Sequence, residues 1–384
     1  MRILYYIGAI AGKGGVERVL AEKSNYFINQ FGWEIHIMTE DQRGRDLPYL
    51  FNKNIHFHDL QTSLYSPKYI IKGFTYLQMI LRVRTLAEKK IEEIAPDIIS
   101  VLDIGFCDFV VPYICKNIPK IREFHSSKEA AKNFSKEMPF LKRIHYRGYR
   151  FLYYRQFKKY SSLVLLTERD FKAFGCPSNG CVIPNTIGAL GSDKTVLSNS
   201  FHTKKRIISV GSMANDQKGF SVLIQIAPQI KNKYPDWSLH IYGDGPYKAK
   251  YQEMIDKSEL SDFVFLEGAT NDIISKLRDS DFFVFTSKGE GFPMVLIEAQ
   301  SQYLPAISYD TPCGPSEIIT NGIDGFIVKM NDTKDLIEKI FLLIENEDLR
   351  AKMCSNAYKN SLRFSPENIM PMWIALFDKL VQHG

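Results

Sequence analysis

The chain has 384 residues, of which 45% are hydrophobic and 24% are charged. A single hydrophobic core rarely grows beyond about 250 to 300 residues, so this length predicts two domains, and the composition excludes a disordered chain. The sequence contains no run of about 18 apolar residues, and its apolar start lacks the other features of a signal peptide. The 6 cysteines include no CxxC pair, so we expect neither a disulfide scaffold nor a zinc site, and a cytoplasmic location.

The net charge of +6 is concentrated in one block. Residues 116–160 hold thirteen Lys and Arg against three Glu, and aromatic residues are interleaved with them. This pattern predicts contact with an anionic membrane or acceptor. The candidate contact residues are Lys142, Arg143, Arg147 and Arg150. As an alternative, Tyr149, Tyr153 and Phe157 form the buried stripe of a helix.

The first half alternates short apolar strands with helical patterns. The predicted strands are 3–7, 34–38, 97–101, 118–122, 163–166 and 181–184, with an amphipathic helix over 16–27. This βαβ alternation predicts a parallel, doubly wound sheet over an N-terminal domain of residues 1–190. Residues 191–204 are polar and lack periodicity, as is typical of a linker.

The second half repeats the βα alternation over a C-terminal domain of residues 205–364. Its predicted strands are 206–210, 238–242, 263–266, 282–285, 306–308 and 326–328. Residues 365–384 have helical apolar spacing after Ser365 and Pro366, which predicts a terminal helix that packs back on the first domain. The fold class is therefore α/β with two Rossmann-like domains.

The loop Gly12-Lys13-Gly14-Gly15 follows the first strand and opens the first helix, where free N–H groups favour an anion. It fits neither a P-loop, because Lys13 is followed by Gly14, nor a dinucleotide fingerprint, because Glu17 replaces the third glycine. An NTPase and an NAD site are therefore not expected. The alternative interpretation is a turn that needs only the conformational freedom of glycine.

Asp279 and Asp281 have the Asp-x-Asp spacing that some transferases use to bind a divalent cation. They precede the strand 282–285 and so lie at its amino edge, whereas ligands in open α/β sheets bind beyond the carboxyl ends of strands. We therefore expect no metal.

The segment beyond the carboxyl end of that strand runs from Glu290 to Glu298. Pro293 can occupy the first position of a helix, so free N–H groups face the loop and can hold a diphosphate. Glu290 and Glu298 flank this position, and carboxylates accept paired hydrogen bonds from vicinal hydroxyls. The alternative is two solvated surface glutamates.

The run from Glu290 to Glu298 resembles the E-x7-E motif of retaining GT-B glycosyltransferases of family four, the glycosyltransferases group 1. Other matching pieces occur in the expected order at 14–18, 122–125, 182–185, 217–220 and 241–246. The ordered set covers nearly the whole chain. The resemblance implies two Rossmann-like domains facing across a cleft, with the acceptor bound by the first domain and the nucleotide-sugar donor mainly by the second.

The resemblance also implies residue roles. Glu298 resembles the residue that binds the ribose hydroxyls, Glu290 the one that contacts the transferred sugar, and Lys218 the one that neutralises the diphosphate. His125 resembles the cleft histidine near the reacting sugar, with an ordinary interior or surface imidazole as the alternative. The catalytic candidates are His125, Lys218 and Glu290. The other donor candidates are Gly14, Gly15, Ser212, Gly243, Gly291, Phe292, Pro293, Met294, Val295 and Glu298.

One position departs from the family pattern. The family usually has an arginine in V-G-R-L beside the diphosphate, whereas this chain has Ser212 there. Serine can donate a hydrogen bond but carries no charge. Either Lys218 acts with helix termini alone, or Lys288 or Lys13 supplies the second charge.

Taken together, the resemblance implies a retaining hexosyltransferase that needs neither metal nor cofactor. It would move a hexose or N-acetylhexosamine from a UDP-sugar to a saccharide acceptor, linked to polyprenyl diphosphate, in cell-surface polysaccharide assembly. We expect it in the cytoplasm, at the inner face of the plasma membrane, with no nucleic-acid partner. The alternatives are a nucleotide-sugar epimerase of the same architecture and a non-catalytic nucleotide-sugar-binding protein. The sequence leaves the sugar, and the choice between UDP and GDP, open.

Overall fold

The computed structural model describes residues 1–12, 14–62, 74–102, 107–136, 138–188 and 204–382. The chain divides into two compact units, one formed by Met1–Gly188 with Pro366–Gly384 and the other by Ala189–Ser365. Of the predicted linker 191–204, only Lys204 lies within the described residues. Among the described helices, none is both long enough and apolar enough to cross a bilayer.

The first unit contains a parallel seven-stranded sheet. Its strands are β1 (Arg2–Ile7), β2 (Glu34–Thr39), β3 (His56–Asp59), β4 (Ile98–Val101), β5 (Lys120–Phe124), β6 (Ser162–Leu165) and β7 (Gly180–Val182), in the order β3-β2-β1-β4-β5-β6-β7. Its helices before the second unit are α1 (Gly15–Phe31), α2 (Phe74–Ile94), α3 (Cys107–Val110), α4 (Lys128–Lys136), α5 (Phe140–Gln156) and α6 (Glu168–Ala173). The edge strand β3 is the strand that the sequence pattern missed.

The second unit contains a parallel six-stranded sheet. Its strands are β8 (Arg206–Val210), β9 (Ser238–Tyr242), β10 (Val264–Gly268), β11 (Phe282–Phe285), β12 (Ala306–Tyr309) and β13 (Gly325–Val328), in the order β10-β9-β8-β11-β12-β13. Its helices are α7 (Phe220–Lys233), α8 (Lys248–Lys257), α9 (Ile273–Arg278), α10 (Met294–Ser301), α11 (Pro315–Ile318), α12 (Thr333–Glu345) and α13 (Glu347–Ser361). The strand order reverses between β8 and β11.

The last helix, α14 (Pro366–Gln382), is part of the core of the first unit. Phe377 on α14 contacts Phe27 of α1 and Trp33, with ring centroids 5.6 and 5.9 Å apart. Trp373, one turn earlier, is buried in the same cluster. The chain therefore returns to its first unit after completing the second.

Both faces of the first sheet are covered. Ile3, Tyr5 and Ile7 of β1 join the apolar cluster with α1 and α14, whereas Leu4 and Tyr6 join the cluster with α2. Strands buried on both faces read as continuous apolar runs, which is why the pattern of β1 is apolar throughout and does not alternate. The predicted architecture of two parallel, Rossmann-like sheets is confirmed.

Candidate functional site

The candidate site of the second unit lies where its strand order reverses, at the carboxyl ends of β8 and β11. Ligands of open α/β sheets bind in the crevice at this switch point. The loop after β8 carries Ser212 and Lys218, and the loop after β11 carries Glu290. The structure therefore brings the β8 loop and the E-x7-E run to one edge of one sheet.

Glycines allow the loops after β8 and β9 to pack closely. Gly243 has φ 149°, and a Cβ atom placed on it would lie 1.8 Å from the carbonyl oxygen of Gly211. The Gly211 amide donates to the carbonyl of Tyr242 over 3.0 Å, and the Met213 amide donates to Asp244 over 2.9 Å. Gly243 therefore has a packing role, because any side chain here would separate the two loops.

Lys218 ends a short 3-10 turn, Asp216–Lys218, just before α7. Gly219 follows in the left-handed conformation, and the Thr286 hydroxyl lies 3.0 Å from the Gly219 carbonyl oxygen. The side-chain carbons of Lys218 lie against Gly211, where a Cβ would come within 2.7 Å of Lys218 Cγ. The backbone thus directs the lysine across the carboxyl edge of the sheet.

Lys218 is paired with Glu290. Its Nζ atom lies 2.6 Å from Glu290 Oε1, and the buried Ser287 donates its hydroxyl to the same oxygen over 2.6 Å. The lysine and glutamate side chains are 24% and 14% exposed. An ammonium group at this edge, held by a carboxylate and open to solvent on one side, can exchange that partner for a phosphate oxygen.

Lys288, considered above as a second source of charge, has a partner. Its Nζ atom lies 2.7 Å from Asp216 Oδ2, which also accepts the Ser221 hydroxyl. Burial acts to raise the pKa of Asp216, but hydrogen bonds from Lys288, Ser221 and Tyr251 outweigh it and lower that pKa. Lys288 therefore also fastens the loop after β11 to the turn before α7.

The helix α10 begins one residue later than the sequence suggested. Pro293 precedes the helix, with ψ 90°, and Met294 is its first residue. A Cβ on Gly314 would lie 2.3 Å from Pro293 Cδ, so the proline packs tightly on the loop before α11. The remaining residues of the run are buried or half-buried, namely Gly291, Phe292, Met294 and Val295.

Glu298 lies in the second turn of α10 and is 7% exposed. With Glu290 also largely buried, neither glutamate is a solvated surface residue. Burying a carboxylate is unfavourable unless it is paired or hydrogen-bonded, and Glu290 meets this condition through Lys218 and Ser287.

Ser212 lies exposed in the loop after β8, and its hydroxyl oxygen accepts the Ala214 amide over 3.2 Å. The Ser212 side chain thus closes a local turn and supplies no positive charge.

The sequence interpretation missed Ser287 and Gln217. Gln217 donates its side-chain amide to the Gly289 carbonyl over 2.8 Å. The position of Ser287, two residues after the end of β11, is the signal that could have identified it.

A family model described as glycosyl transferases group 1 matches residues 195–360, which include Lys218, Glu290 and Glu298. This match covers nearly all of the second unit, Ala189–Ser365. The resemblance inferred from the E-x7-E run is thereby confirmed for this unit.

The proteins similar to this chain include two curated relatives and a solved structure. An exopolysaccharide phosphotransferase of Streptomyces coelicolor is 36% identical over 227 residues, 57% of this chain and 23% of that protein. A poly(ribitol-phosphate) alpha-N-acetylglucosaminyltransferase of Staphylococcus aureus is 32% identical over 179 residues, 46% of this chain and 36% of that protein. The chain thus matches well under half the length of these curated relatives.

The solved structure is an S. aureus TarM variant in complex with fondaparinux, alpha-GlcNAc-glycerol and UDP. It is 18% identical, with a TM-score of 0.77 over 98% of this chain and 100% of that chain. At this identity the likeness establishes the fold alone. The predicted GT-B fold class is confirmed.

His125 lies on the loop after β5 of the first unit. Its Nε2 atom is 3.1 Å from Glu123 Oε2, and its Nδ1 atom is buried without a hydrogen-bond partner. Glu123 also lies 2.6 Å from Lys23 Nζ. Burial acts to raise the pKa of Glu123, but Lys23 and His125 outweigh it and lower that pKa to about 2. The unpaired Nδ1 atom leaves His125 one ring nitrogen for a ligand.

Gly14 and Gly15 also lie in the first unit, at the start of α1. A Cβ on Gly14 would lie 2.5 Å from the Glu17 carboxylate, so the end of this flexible side chain packs against the glycine. The Glu17 carboxylate occupies space at the helix start where an anion was expected. Lys13 lies outside the described residues.

The four basic candidates on α5 differ in exposure. Lys142 and Arg147 are exposed, Arg143 is half-buried, and Arg150 is buried. The buried-stripe alternative holds for Tyr153 of α5 and for Phe157, which directly follows the helix. The basic block therefore supplies core residues and surface cations together.

Two clusters among the described residues could hold a metal ion, because their ligand atoms lie within 4.8 Å of one another. They are Glu34 with His36 and His56, and Glu88 with Glu92 and Cys115, all in the first unit.

In the glycosyl transferases group 1 unit, Asp281 accepts the amides of Lys204 and Arg206 over 3.1 and 2.9 Å. Its carboxylate therefore fixes the amino edge of β11.

Proposed function

We propose that this protein is a retaining glycosyltransferase. It moves a hexose or N-acetylhexosamine from a nucleotide-diphosphate sugar, with UDP as the nucleotide, to a saccharide acceptor in surface-polysaccharide assembly. The observation that carries the proposal is the Lys218–Glu290 pair, 2.6 Å apart at the switch point of a glycosyl transferases group 1 unit. The name of the S. aureus relative and the UDP in the TarM complex support the reaction and the nucleotide.

In the proposed reaction, the donor diphosphate replaces Glu290 as the partner of Lys218. The bond between the anomeric carbon and the diphosphate oxygen breaks, and its electron pair leaves with the diphosphate. The acceptor hydroxyl attacks from the same face, and its proton passes to the departing diphosphate. Lys218 stabilises the negative charge that develops on the leaving group, Glu290 then contacts the sugar, and Glu298 holds the ribose hydroxyls. The proposal includes no metal ion and no cofactor.

The proposed acceptor is a saccharide linked to polyprenyl diphosphate, and the proposed location is the cytoplasmic face of the plasma membrane. The exposed cations Lys142 and Arg147 on α5 support attachment to an anionic surface. Each basic residue near such a surface contributes about 1 kcal/mol, so binding should weaken as salt increases.

The test is a screen of UDP-sugars and GDP-sugars for thermal stabilisation of the full chain, followed by turnover with a saccharide acceptor. Proton NMR of the product then reports the anomeric configuration. We expect stabilisation by a UDP-sugar and transfer with retention. Interconversion of the free UDP-sugar without an acceptor would favour the epimerase, and binding without turnover would favour a binding protein. Either result would contradict the proposal.

A further inference from the structure

The first unit contains a cavity of about 640 Å³ lined by residues of α4, α5 and α6 and of the segments around them. Six cations line this cavity: Lys128, Lys132, Arg147, Arg150, Arg155 and Lys158. Glu129 is the one acidic residue among its lining residues. A cavity of this size can hold a small organic anion, and its charge favours one.

Arg150 is a buried cation in the cavity wall. It is 9% exposed, and its guanidinium carbon lies 4.6 Å from the centre of the Tyr154 ring. Its Nη2 atom donates to the Tyr154 hydroxyl, while its Nε atom is buried without a hydrogen-bond partner. Within the described part of the chain, no carboxylate forms an ion pair with Arg150. A buried charge without a counterion is unfavourable, so this position fits an anionic ligand.

Lys128 approaches the same Tyr154 ring. Its Nζ atom lies 5.6 Å from the centre of that ring and 4.6 Å from the centre of the Phe174 ring. The ammonium donates to the Ala173 carbonyl over 2.7 Å, which leaves two of its three hydrogens for other acceptors. Asp170 accepts a hydrogen bond from the backbone amide of Lys128. Its negative charge partly opposes the effect of burial on the pKa of the lysine. Burial lowers the pKa of Lys128.

An apolar stripe on α5 continues from the cavity to the surface. Its large side chains are between 54% and 78% exposed: Phe140, Leu141, Ile144, Phe151 and Leu152. Phe151 belongs both to this stripe and to the cavity lining. Exposed apolar residues beside arginines and lysines on one helix are typical of helices that lie in a membrane interface. Binding of a free anion would account for the cations of the cavity but not for the exposed apolar stripe beside them.

We propose that this cavity binds the phosphate head group of an anionic membrane lipid, with Lys128 and Arg150 at the phosphate and the stripe in the apolar layer. Charge complementarity identifies the head group, and the continuous stripe identifies its source as a lipid. The inference rests on the proposed attachment to an anionic membrane and adds a specific binding site to it. It does not depend on glycosyl transfer.

The first experiment titrates the full chain with dihexanoyl phosphatidylglycerol below its micellar concentration, by calorimetry. We expect Lys128→Met and Arg150→Met to weaken binding at least about tenfold, the factor for losing one hydrogen bond to a charged group. Lys89→Met is the matched control, because Lys89 is exposed on α2 of the same unit, lies outside the basic block and does not line the cavity. It should bind like wild type, and dihexanoyl phosphatidylcholine should bind more weakly.

The proposal is overturned if both cavity variants bind phosphatidylglycerol like wild type, or if Lys89→Met weakens binding equally. It is also overturned if inorganic phosphate binds as tightly as the lipid, because the cavity would then be an anion site only. If Arg150→Met does not fold, the lipid affinity of Lys128→Met, a variant at a half-buried position, tests the proposal by itself.

A second experiment sediments the same proteins with vesicles containing phosphatidylglycerol at low and high salt. Salt-dependent binding that is equal in wild type and Lys128→Met would leave the membrane attachment standing and remove the cavity from it. Absence of vesicle binding by wild type would contradict both the membrane attachment and the role of the cavity in it. We expect wild type to bind in a salt-dependent manner and Lys128→Met to bind more weakly.

Discussion

Gly219 holds the turn that positions Lys218, and replacing it with alanine should be unusually destabilising. Its φ is +69°, and an added Cβ would lie 2.1 Å from the Thr286 carbonyl oxygen at the end of β11. Backbone in the left-handed region costs about 1–2 kcal/mol for a residue with a Cβ. Forcing a methyl group into packed structure costs about 1–3 kcal/mol more. Gly219→Ala should therefore lower the free energy of unfolding by about 2–5 kcal/mol.

Gly322 provides the matched control in the same unit. Its φ is +78°, and an added Cβ would meet nothing within 4 Å. Gly322→Ala therefore experiences the backbone penalty alone, about 1–2 kcal/mol. The difference between the two variants isolates the contact with Thr286.

Urea unfolding of both variants, followed on the transition of the second unit, measures this difference. We expect Gly219→Ala to be less stable than Gly322→Ala by at least about 1 kcal/mol and to lose stabilisation by UDP, because Lys218 moves with the turn. Equal stability of the two variants would refute the close packing of the turn against β11.

Three further outcomes follow from the two units. Lys218→Ala should cut turnover on the order of a hundredfold, whereas Ser212→Arg should be tolerated or activating; near-normal turnover of Lys218→Ala would refute the leaving-group role. Glu298→Ala should weaken UDP binding about tenfold or more, and unchanged affinity by calorimetry in the folded variant would remove it from the donor site. The pKa of Glu123 is about 2 in the folded chain, against 4.5 in the unfolded chain. This difference adds about 3 kcal/mol to the free energy of unfolding. The contribution is complete above pH 4.5 and is lost as the pH falls towards 2. Glu123→Gln should lose that part of the acid dependence in urea titrations between pH 5 and 2, and an unchanged dependence would contradict the ion pair with Lys23.

Much of the fold could be predicted because the strands are buried on both faces. In the second unit the predicted strands 206–210, 238–242 and 282–285 coincide with β8, β9 and β11. The edge strand β3 was missed because its residues, His56 to Asp59, are exposed or half-buried and lack an apolar run. Its pairing with β2 depends on a neighbour, which periodicity does not reveal.

The polarity of the parallel sheet predicted which residues lie at the candidate site, but not the contacts between their side chains. A residue that follows a parallel strand lies at its carboxyl edge, which places Glu290 and Lys218 together. Their ion pair and the Lys288–Asp216 contact depend on side-chain positions 72 residues apart in sequence. The cavity below α5 could not be predicted either, because Lys128, Arg150 and Phe174 come from three separate segments.

The location of the donor site is tested most directly by hydrogen–deuterium exchange of the full chain with and without UDP. We expect UDP to protect backbone amides in 211–219, 243–246 and 287–298, the segments at the carboxyl edge of the second sheet. Protection confined to 258–263 and 278–281, at the amino edge of that sheet, or no protection in the second unit at saturating UDP, would contradict a nucleotide-sugar site built around Lys218 and Glu290.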